Sequence, residues 1–230
     1  MNIVVTAGPT REHLDPVRFL SNRSTGKMGY AIADEAQRRG HAVHLISGPV
    51  AIPVPAGLVC CTQITSAQEM LDAVMETISE SDVLIMCAAV ADWRPCAVSS
   101  HKLKKDAMDP VLRLEPTKDI LGAVKLVRRP DQLIIGFAAE TDDVLGHARE
   151  KVVRKNLDLI VANDVSRADA GFAVDTNIVS FVEKTGSVMD FPLLSKRLVG
   201  EKLMDWVEAH APETRTRANL ILTAQQSRKL

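Results

Sequence analysis

Two groups of basic residues bracket one aromatic residue in this chain. The first is His101-Lys102-Leu103-Lys104-Lys105, the second Lys151-Val152-Val153-Arg154-Lys155, and between them sits Gly136-Phe137-Ala138-Ala139-Glu140-Thr141. Lys102 and Lys104 would share one side of an extended strand. Lys151 and Lys155, four apart, project from one face of a helix, where like charges repel by a few tenths of a kcal/mol. Bound phosphate oxygens would reverse that sign. Phe137 follows an apolar run and has small neighbours, which leaves room for a flat base beside it. Asp92 closes another apolar run ahead of Trp93-Arg94-Pro95, where a carboxylate can accept from ribose hydroxyls or a base amino group. These residue types together suit a nucleoside triphosphate. Each also has a plainer reading: solvated charge runs, a core phenylalanine, a loop cap.

The segment Ser21-Asn22-Arg23-Ser24-Thr25-Gly26-Lys27-Met28-Gly29 opens a helix. Free N–H groups and the dipole make such an end an anion site. Gly26 and Gly29 allow a ligand, or simply the sheet, to come close, and Asn22 offers an amide for a carboxylate or carbonyl. The segment is not a P-loop, because G-x-x-x-x-G-K-[ST] is absent, and the G-x-G-x-x-G dinucleotide spacing fails.

Composition narrows the partners. The net charge is only −1, so the positive charge is local, and a duplex-binding face would leave a basic excess. One Tyr, two Trp and five Phe are too few for a single-strand stacking platform. Nucleic acid is therefore not expected as a partner. Hydrophobic residues make up 46%, enough for a core, yet no apolar run reaches the ~20 residues of a membrane span. Met1-Asn2-Ile3-Val4-Val5 begins as a strand without a basic leader, and Cys60, Cys61, Cys87 and Cys96 lack metal-ligand spacing. These features predict a cytoplasmic protein with reduced thiols. The six histidines suggest no zinc site, and no nucleophile elbow or Cys/His pair is present. Catalysis would then rest on positioning and charge stabilisation.

The elements that must position these residues alternate between strand and helix. Apolar strands are expected over 3–7, 41–47, 58–64, 83–89, 133–138 and 157–162, and a hairpin over 178–182 and 187–190. Helices are expected over 25–39, from Ser66 to Ile78 with Glu69 in a capping box, over 120–127 and 144–155, and over 195–210 with Leu198, Leu203 and Trp206 on its apolar side. The pattern predicts an α/β fold with a doubly wound, mostly parallel sheet. Its ligand should lie at the carboxyl ends of the strands, at Ala7-Gly8-Pro9-Thr10, Ser47-Gly48-Pro49, Ala88-Ala89-Val90-Ala91-Asp92 and Ala138-Ala139-Glu140-Thr141. One domain over 1–210 and a polar tail over 211–230 are expected.

Taken together the motifs resemble the bacterial, CTP-dependent phosphopantothenate–cysteine ligase family. The matching stretches are Thr6-Ala7-Gly8-Pro9-Thr10-Arg11-Glu12, Leu14-Asp15-Pro16-Val17-Arg18, the Ser21 to Gly29 segment and Ala88-Ala89-Val90-Ala91-Asp92. Lys102-Leu103-Lys104-Lys105, the Gly136 to Thr141 stretch, Lys155-Asn156-Leu157-Asp158 and Ala162-Asn163-Asp164 continue the series in family order, across residues 2–210. The resemblance implies a Rossmann-like sheet with a flap and a small β dimerisation element. It implies activation of 4'-phosphopantothenate by CTP to an acyl-cytidylate, then amide formation with cysteine, within coenzyme A biosynthesis. By position, Asn22 would hold the acyl carbonyl or carboxylate, and Ala88 and Ala89 would offer backbone contacts to the same substrate. Asp92 and Phe137 would hold cytidine, Lys102 would neutralise the triphosphate, and Asp119, Lys151 and Lys155 would contribute to nucleotide binding. Asn22 and Lys102 are thus the catalytic candidates, and residues 102–105 the flap strand. The resemblance further implies Mg²⁺ (or Mn²⁺) carried mainly by phosphates with no assigned protein ligand, a homodimer, and fusion or association with a flavin-dependent decarboxylase. No FMN role falls to this chain. Two rivals remain: an NAD(P)-dependent oxidoreductase, which the missing glycine fingerprint opposes, and a nucleotide-sensing module that binds CTP without turnover.

Overall fold

The computed structural model describes residues 1–105, 111–140, 142–164, 171 and 173–211. The expected tail, beyond Ala211, and Thr141 lie outside the described residues. The chain runs through β1 (Asn2–Ala7), β2 (Arg11–His13), β3 (Phe19–Ser21), α1 (Lys27–Arg38), β4 (Ala42–Ser47), β5 (Cys60–Gln63), α2 (Ala67–Thr77) and β6 (Val83–Met86). It continues through β7 (Trp93–Pro95), β8 (Leu114–Pro116), α3 (Ile120–Val127), β9 (Leu133–Glu140), α4 (Val144–Lys155) and β10 (Leu159–Asp164). It closes with β11 (Thr176–Asn177), β12 (Val179–Glu183), β13 (Val188–Asp190), β14 (Leu194–Ser195) and α5 (Lys196–His210).

Eight strands form one sheet in the order β13-β12-β10-β9-β6-β1-β4-β5. The six from β10 to β5 are parallel neighbours, and β12 and β13 add antiparallel at one edge. The parallel strands are apolar along nearly their whole length because both faces are covered. Alternation assigns the faces: Ile3 and Val5 pack with α1 and α5, whereas Val4 packs with α2, α3 and α4. Leu84 joins Val4, and Val83 and Ile85 join the opposite core. From β1 the chain winds outward through β4 and β5, then returns to the other side of β1 as β6 and winds away through β9 and β10. The reversal between β1 and β6 is the switch point where such sheets open a crevice. This is the doubly wound α/β architecture that the alternation predicts.

Several local expectations hold for identifiable reasons. Ser66 caps α2 by accepting from the Glu69 N–H, and Glu69 reaches back to the Thr65 N–H at 2.8 Å. Gly40 ends α1 at φ 85°, and Gly186 turns the β12–β13 hairpin at φ 93°. Other expectations need correction. The strand expected over 83–89 stops at Met86, because the Ala88 and Ala89 N–H groups bond to Thr6 Oγ1 (3.1 Å) and the Gly8 carbonyl (2.9 Å). Residues 102–104 form no strand: the Leu103 N–H donates to Asp15 and its carbonyl accepts from Arg18, so the backbone has side-chain partners. The arms of that excursion are instead β7 and β8, which pair with each other. On α5 the buried stripe is Val199, Leu203 and Val207, with Trp206 beside it, while Leu198 is half-buried.

Among the described residues, no helix is long and apolar enough to cross a membrane. The exits of β1 and β4 pack on each other closely. A Cβ on Gly48 would lie 1.8 Å from the Pro9 carbonyl oxygen. Gly48→Ala is therefore expected to cost at least about 2 kcal/mol in urea unfolding, the scale of a backbone clash in a packed core. A change below about 0.5 kcal/mol, the level of a neutral surface substitution, would contradict this packing.

Candidate functional site

A cavity of about 700 Å³ opens at the carboxyl edge of the sheet, beside the switch point. The start of α1, the turn after β6, the end of β9 and the first turn of α3 line it, together with one face of α4. Two expected contributors, 7–10 and 47–49, are absent from its lining; they pack against each other as described above. Gly26 takes φ 78° at the α1 N-cap, and a Cβ on Gly29 would meet the Ala7 Cβ at 2.6 Å. Gly29 thus brings the helix onto β1, and through it the helix N-terminus to the cavity.

On the α3–α4 side, Lys151 and Lys155 both line the cavity, one helical turn apart. Lys155 is paired with Asp119, which also caps α3 by accepting from the Gly122 N–H at 3.0 Å. Burial tends to raise the Asp119 carboxyl, but its bonds to Lys155 and to the Gly122 N–H hold it below the ordinary value. Lys151 is more deeply set. Burial pushes its ammonium down against the pull of Glu140 and Asp92, and Nζ lies 3.4 Å from the Phe137 carbonyl oxygen. Asp92 lines the same cavity.

The turn after β6 forms the floor. Ala88 and Ala89 line the cavity, but their N–H groups are committed to Thr6 and Gly8, and the Ala89 carbonyl already accepts from Thr10 N–H at 3.2 Å. Backbone donation from either alanine to a substrate is therefore not available in this arrangement. Asn22 sits just outside the lining and donates Nδ2 to the Ala89 and Val90 carbonyls at 3.0 and 3.2 Å. The Asn22 amide, expected to hold the acyl carbonyl or carboxylate of the substrate, here braces the floor. Phe137 reaches the cavity from the α1–α5 side, packed against that core, so its ring and the α4 lysines flank the strand ends from opposite faces.

Lys102 is exposed and lies outside the cavity lining, on the excursion between β7 and β8. What anchors that excursion is Asp15, a residue to which the sequence reading gave no role. Its Oδ1 accepts from the Val17 and Arg18 N–H groups at 2.8 Å each, and its Oδ2 from the Arg18 guanidinium (2.6 Å) and the Leu103 N–H (3.2 Å). The Arg18 guanidinium beside it holds this buried carboxyl well below the usual carboxylate range. The Asp-Pro-Val-Arg spacing was the available signal, since an Asp can bond backbone two and three residues on. Sequence reasoning also missed the α1–α5 lobe of the cavity, where Lys196, Asn163 and Asn177 join Lys27.

Asp15→Asn is expected to expose the chain near Leu103 to proteolysis while the sheet remains folded. In the native protein the folded pKa of Asp15 is depressed, so its contribution is complete above the unfolded value of ~4 and is lost as pH falls through the folded one. Protection near Leu103 should therefore persist to pH ~4 and fade only below it. Equal cleavage of native and variant chains at pH 7 would contradict the anchor.

The sequence matches the family described as "DNA/pantothenate metabolism flavoprotein C-terminal domain" over residues 1–210. The chain is 46% identical over 217 residues to the coenzyme A biosynthesis bifunctional protein CoaBC of Bacillus subtilis (strain 168), covering 94% of this chain and 53% of that protein. It is 43% identical over 220 residues to the protein of that name from Escherichia coli (strain K12), covering 94% and 54%. The chain thus spans about half the length of the curated relatives it matches. The crystal structure of a C-terminal domain of CoaBC superposes with a TM-score of 0.77 at 43% identity, covering 90% of this chain and 94% of that one. With the match extending over its whole α/β domain, the chain belongs to the DNA/pantothenate metabolism flavoprotein C-terminal domain family.

Proposed function

We propose that this chain joins 4'-phosphopantothenate to L-cysteine at the expense of CTP, as the ligase step of coenzyme A biosynthesis. One observation carries the reading: Lys151, Lys155, Asp92 and the α1 N-terminus line a single cavity at the switch point of the sheet. The names of the curated relatives, which place them in coenzyme A biosynthesis, support the same reading.

In the first step a carboxylate oxygen of the pantothenate acid attacks the α-phosphorus of CTP. The bond to the β-phosphate breaks and pyrophosphate leaves. In the second, the amine of cysteine attacks the acyl carbon, the carbon–oxygen bond to CMP breaks, and the nitrogen sheds its proton to solvent. Neither step needs a protein nucleophile; both build negative charge on phosphate oxygens, which cations stabilise. Lys151 and Lys155 would meet the nucleotide, with Lys155 exchanging the Asp119 carboxylate for phosphate oxygens. Asp92 and Phe137 would hold cytidine from the two sides of the strand ends. Asn22 and the Ala88–Ala89 turn would border the acyl group, with Asn22 acting chiefly by fixing that turn.

A magnesium ion would neutralise the triphosphate and polarise its α-phosphate. Among the described residues no cluster of three or more His, Cys, Asp or Glu could hold a metal. Asp92 and Glu140 are the carboxylates beside Lys151 in the cavity, which suits an ion brought in on the phosphates. Lys102 would reach the nucleotide by movement of its excursion or from a second copy of the chain. Exposed Val17, Phe19, Trp93 and Leu114 on the β2–β3 and β7–β8 ribbons favour a homodimer that covers this face. We place the reaction in the cytoplasm, in a fusion or association with a decarboxylase of the kind that bifunctional relatives imply.

Pyrophosphate release tests the proposal. It is expected to need both CTP and 4'-phosphopantothenate but not cysteine, and CMP release should need cysteine as well. Release without the pantothenate acid, or none with all three substrates, would overturn it. Lys102→Gln should lower turnover at least about a hundredfold with unchanged circular dichroism, the scale of one preorganised donor worth about 2–4 kcal/mol. Near-native single-turnover rates would remove Lys102 from the mechanism.

A further inference from the structure

Asp92, which would hold cytidine in the ligase reading, has an exposed carboxylate that accepts no hydrogen bond among the described residues. The Lys151 ammonium acts on it through charge alone. Its place in the cavity is therefore set by the backbone that carries it. That backbone sits at a fork. The chain leaves the floor at Asp92, runs out through β7, and returns through β8 to Thr117.

Two hydroxyls close the fork. Thr117 Oγ1 donates to the Ala91 carbonyl at 2.6 Å, and the Ala91 N–H donates to Thr10 Oγ1 at 2.9 Å. Both backbone groups of the residue before Asp92 are thus held. The Thr117 N–H donates to the Asp92 carbonyl at 2.9 Å. Pro116, which pairs with Trp93, has no N–H, so Thr117 gives the returning arm its donor at the neck. Thr10 is a fixed post: it is wholly buried, its N–H donates to the Ala89 carbonyl, and its carbonyl accepts from Ser21 Oγ. Thr10 does not line the cavity, whereas Thr117 does. Two residues beyond Thr117 stands Asp119, which holds Lys155 and caps α3. Thr117 therefore joins the Asp92 end of the cavity to the Asp119–Lys155 end.

We propose that Thr117 is a positioning residue for the nucleotide: its hydroxyl and N–H, working against Thr10, set where the Asp92 carboxylate stands. The inference rests on the ligase reading and adds to it a residue that acts through Asp92 rather than on the ligand. A β-branched alcohol suits the task, because its restricted χ1 aims the hydroxyl. Valine at this position keeps the shape and the stiffness and removes the bond. Serine keeps the hydroxyl. Without the bond, the Ala91 carbonyl loses its donor and the Asp92 end of the turn is held from the Thr10 side and by one backbone bond.

The test uses the full chain with Mg²⁺. The native protein is first assayed for pyrophosphate release from CTP and 4'-phosphopantothenate; its absence there would sink the ligase reading itself. Given that release, Thr117→Val is expected to raise KM and Kd for CTP at least about tenfold, the scale of one hydrogen bond. The KM for 4'-phosphopantothenate should stay within about twofold, as for a site that is not coupled. Thr117→Ser should restore both CTP constants. Thr10→Val, whose side chain lies outside the cavity, should raise them as Thr117→Val does. The Kd for CTP then separates action through Asp92 from contact with the ligand. In an Asp92→Asn background, Thr117→Val should change that Kd by less than about twofold, because the carboxylate it positions is gone. Unchanged CTP constants in either valine variant, an equal rise in KM for the pantothenate acid, or the same rise in Kd in both backgrounds would overturn the assignment. So would a loss confined to kcat, which marks a smaller folded fraction and not a displaced carboxylate.

Discussion

The exit of β1 is stitched to the turn after β6, and the geometry of the cavity follows from those bonds. Thr6 Oγ1 takes the Ala88 N–H, the Gly8 carbonyl takes the Ala89 N–H, and Thr10 Oγ1 takes the Ala91 N–H at 2.9 Å. Thr10 N–H and Asn22 Nδ2 return to the Ala89 carbonyl. Two neighbouring strands that part company leave backbone groups unpaired, and here side chains and turns satisfy them. The result is a rigid floor at the one place where the sheet must open. Everything that could do chemistry is hung around it: the α1 N-terminus on one side, α3 and α4 on the other. Fixed groups of this kind need no reorganisation during reaction, the condition under which electrostatic stabilisation is most effective.

The cations around that floor are held in waiting. Lys155 rests on Asp119, Lys27 on Asp175, and Lys196 on backbone carbonyls. Partly exposed pairs of this kind contribute only about 0–1 kcal/mol to stability, so exchanging a carboxylate for phosphate oxygens costs little. Their value is positional. A lysine is a long chain with several rotatable bonds, and a paired one has already lost much of that freedom before ligand arrives. Asp119 links this holding role to the backbone, because the same carboxylate caps α3. Burial works against the charge on Lys151, where Glu140 and Asp92 support it, and on Lys196, where Asp175 does.

Much of the scaffold was legible in the sequence, and the limits have physical causes. Helices α3 and α4 fall where periodicity puts them, and the long apolar runs mark the buried parallel strands. The ribbons β2–β3 and β7–β8 were not legible, because three-residue strands carry no period. The grouping of Lys151, Lys155, Asp92, Asp119 and Phe137 around one cavity was anticipated; that Phe137 enters from the opposite face of the sheet was not. The residues 102–105 looked like a strand because Lys-Leu-Lys alternates, yet a buried Asp15, 88 residues away, claims the backbone of Leu103. Lys196 read as one more helix residue, and its place beside Lys27 depends on α5 packing against α1 on one face of the sheet. Such pairings are set by tertiary structure and leave no mark in local spacing.

A crystal structure with a non-hydrolysable CTP analogue tests the central claim most directly. The account predicts phosphate oxygens within hydrogen-bond distance of Lys155 Nζ, the Asp119–Lys155 contact opened, and the base between Asp92 and the Phe137 ring. Nucleotide bound elsewhere on the chain, or bound in the cavity with Lys155 still on Asp119 and no phosphate near α4, would contradict it.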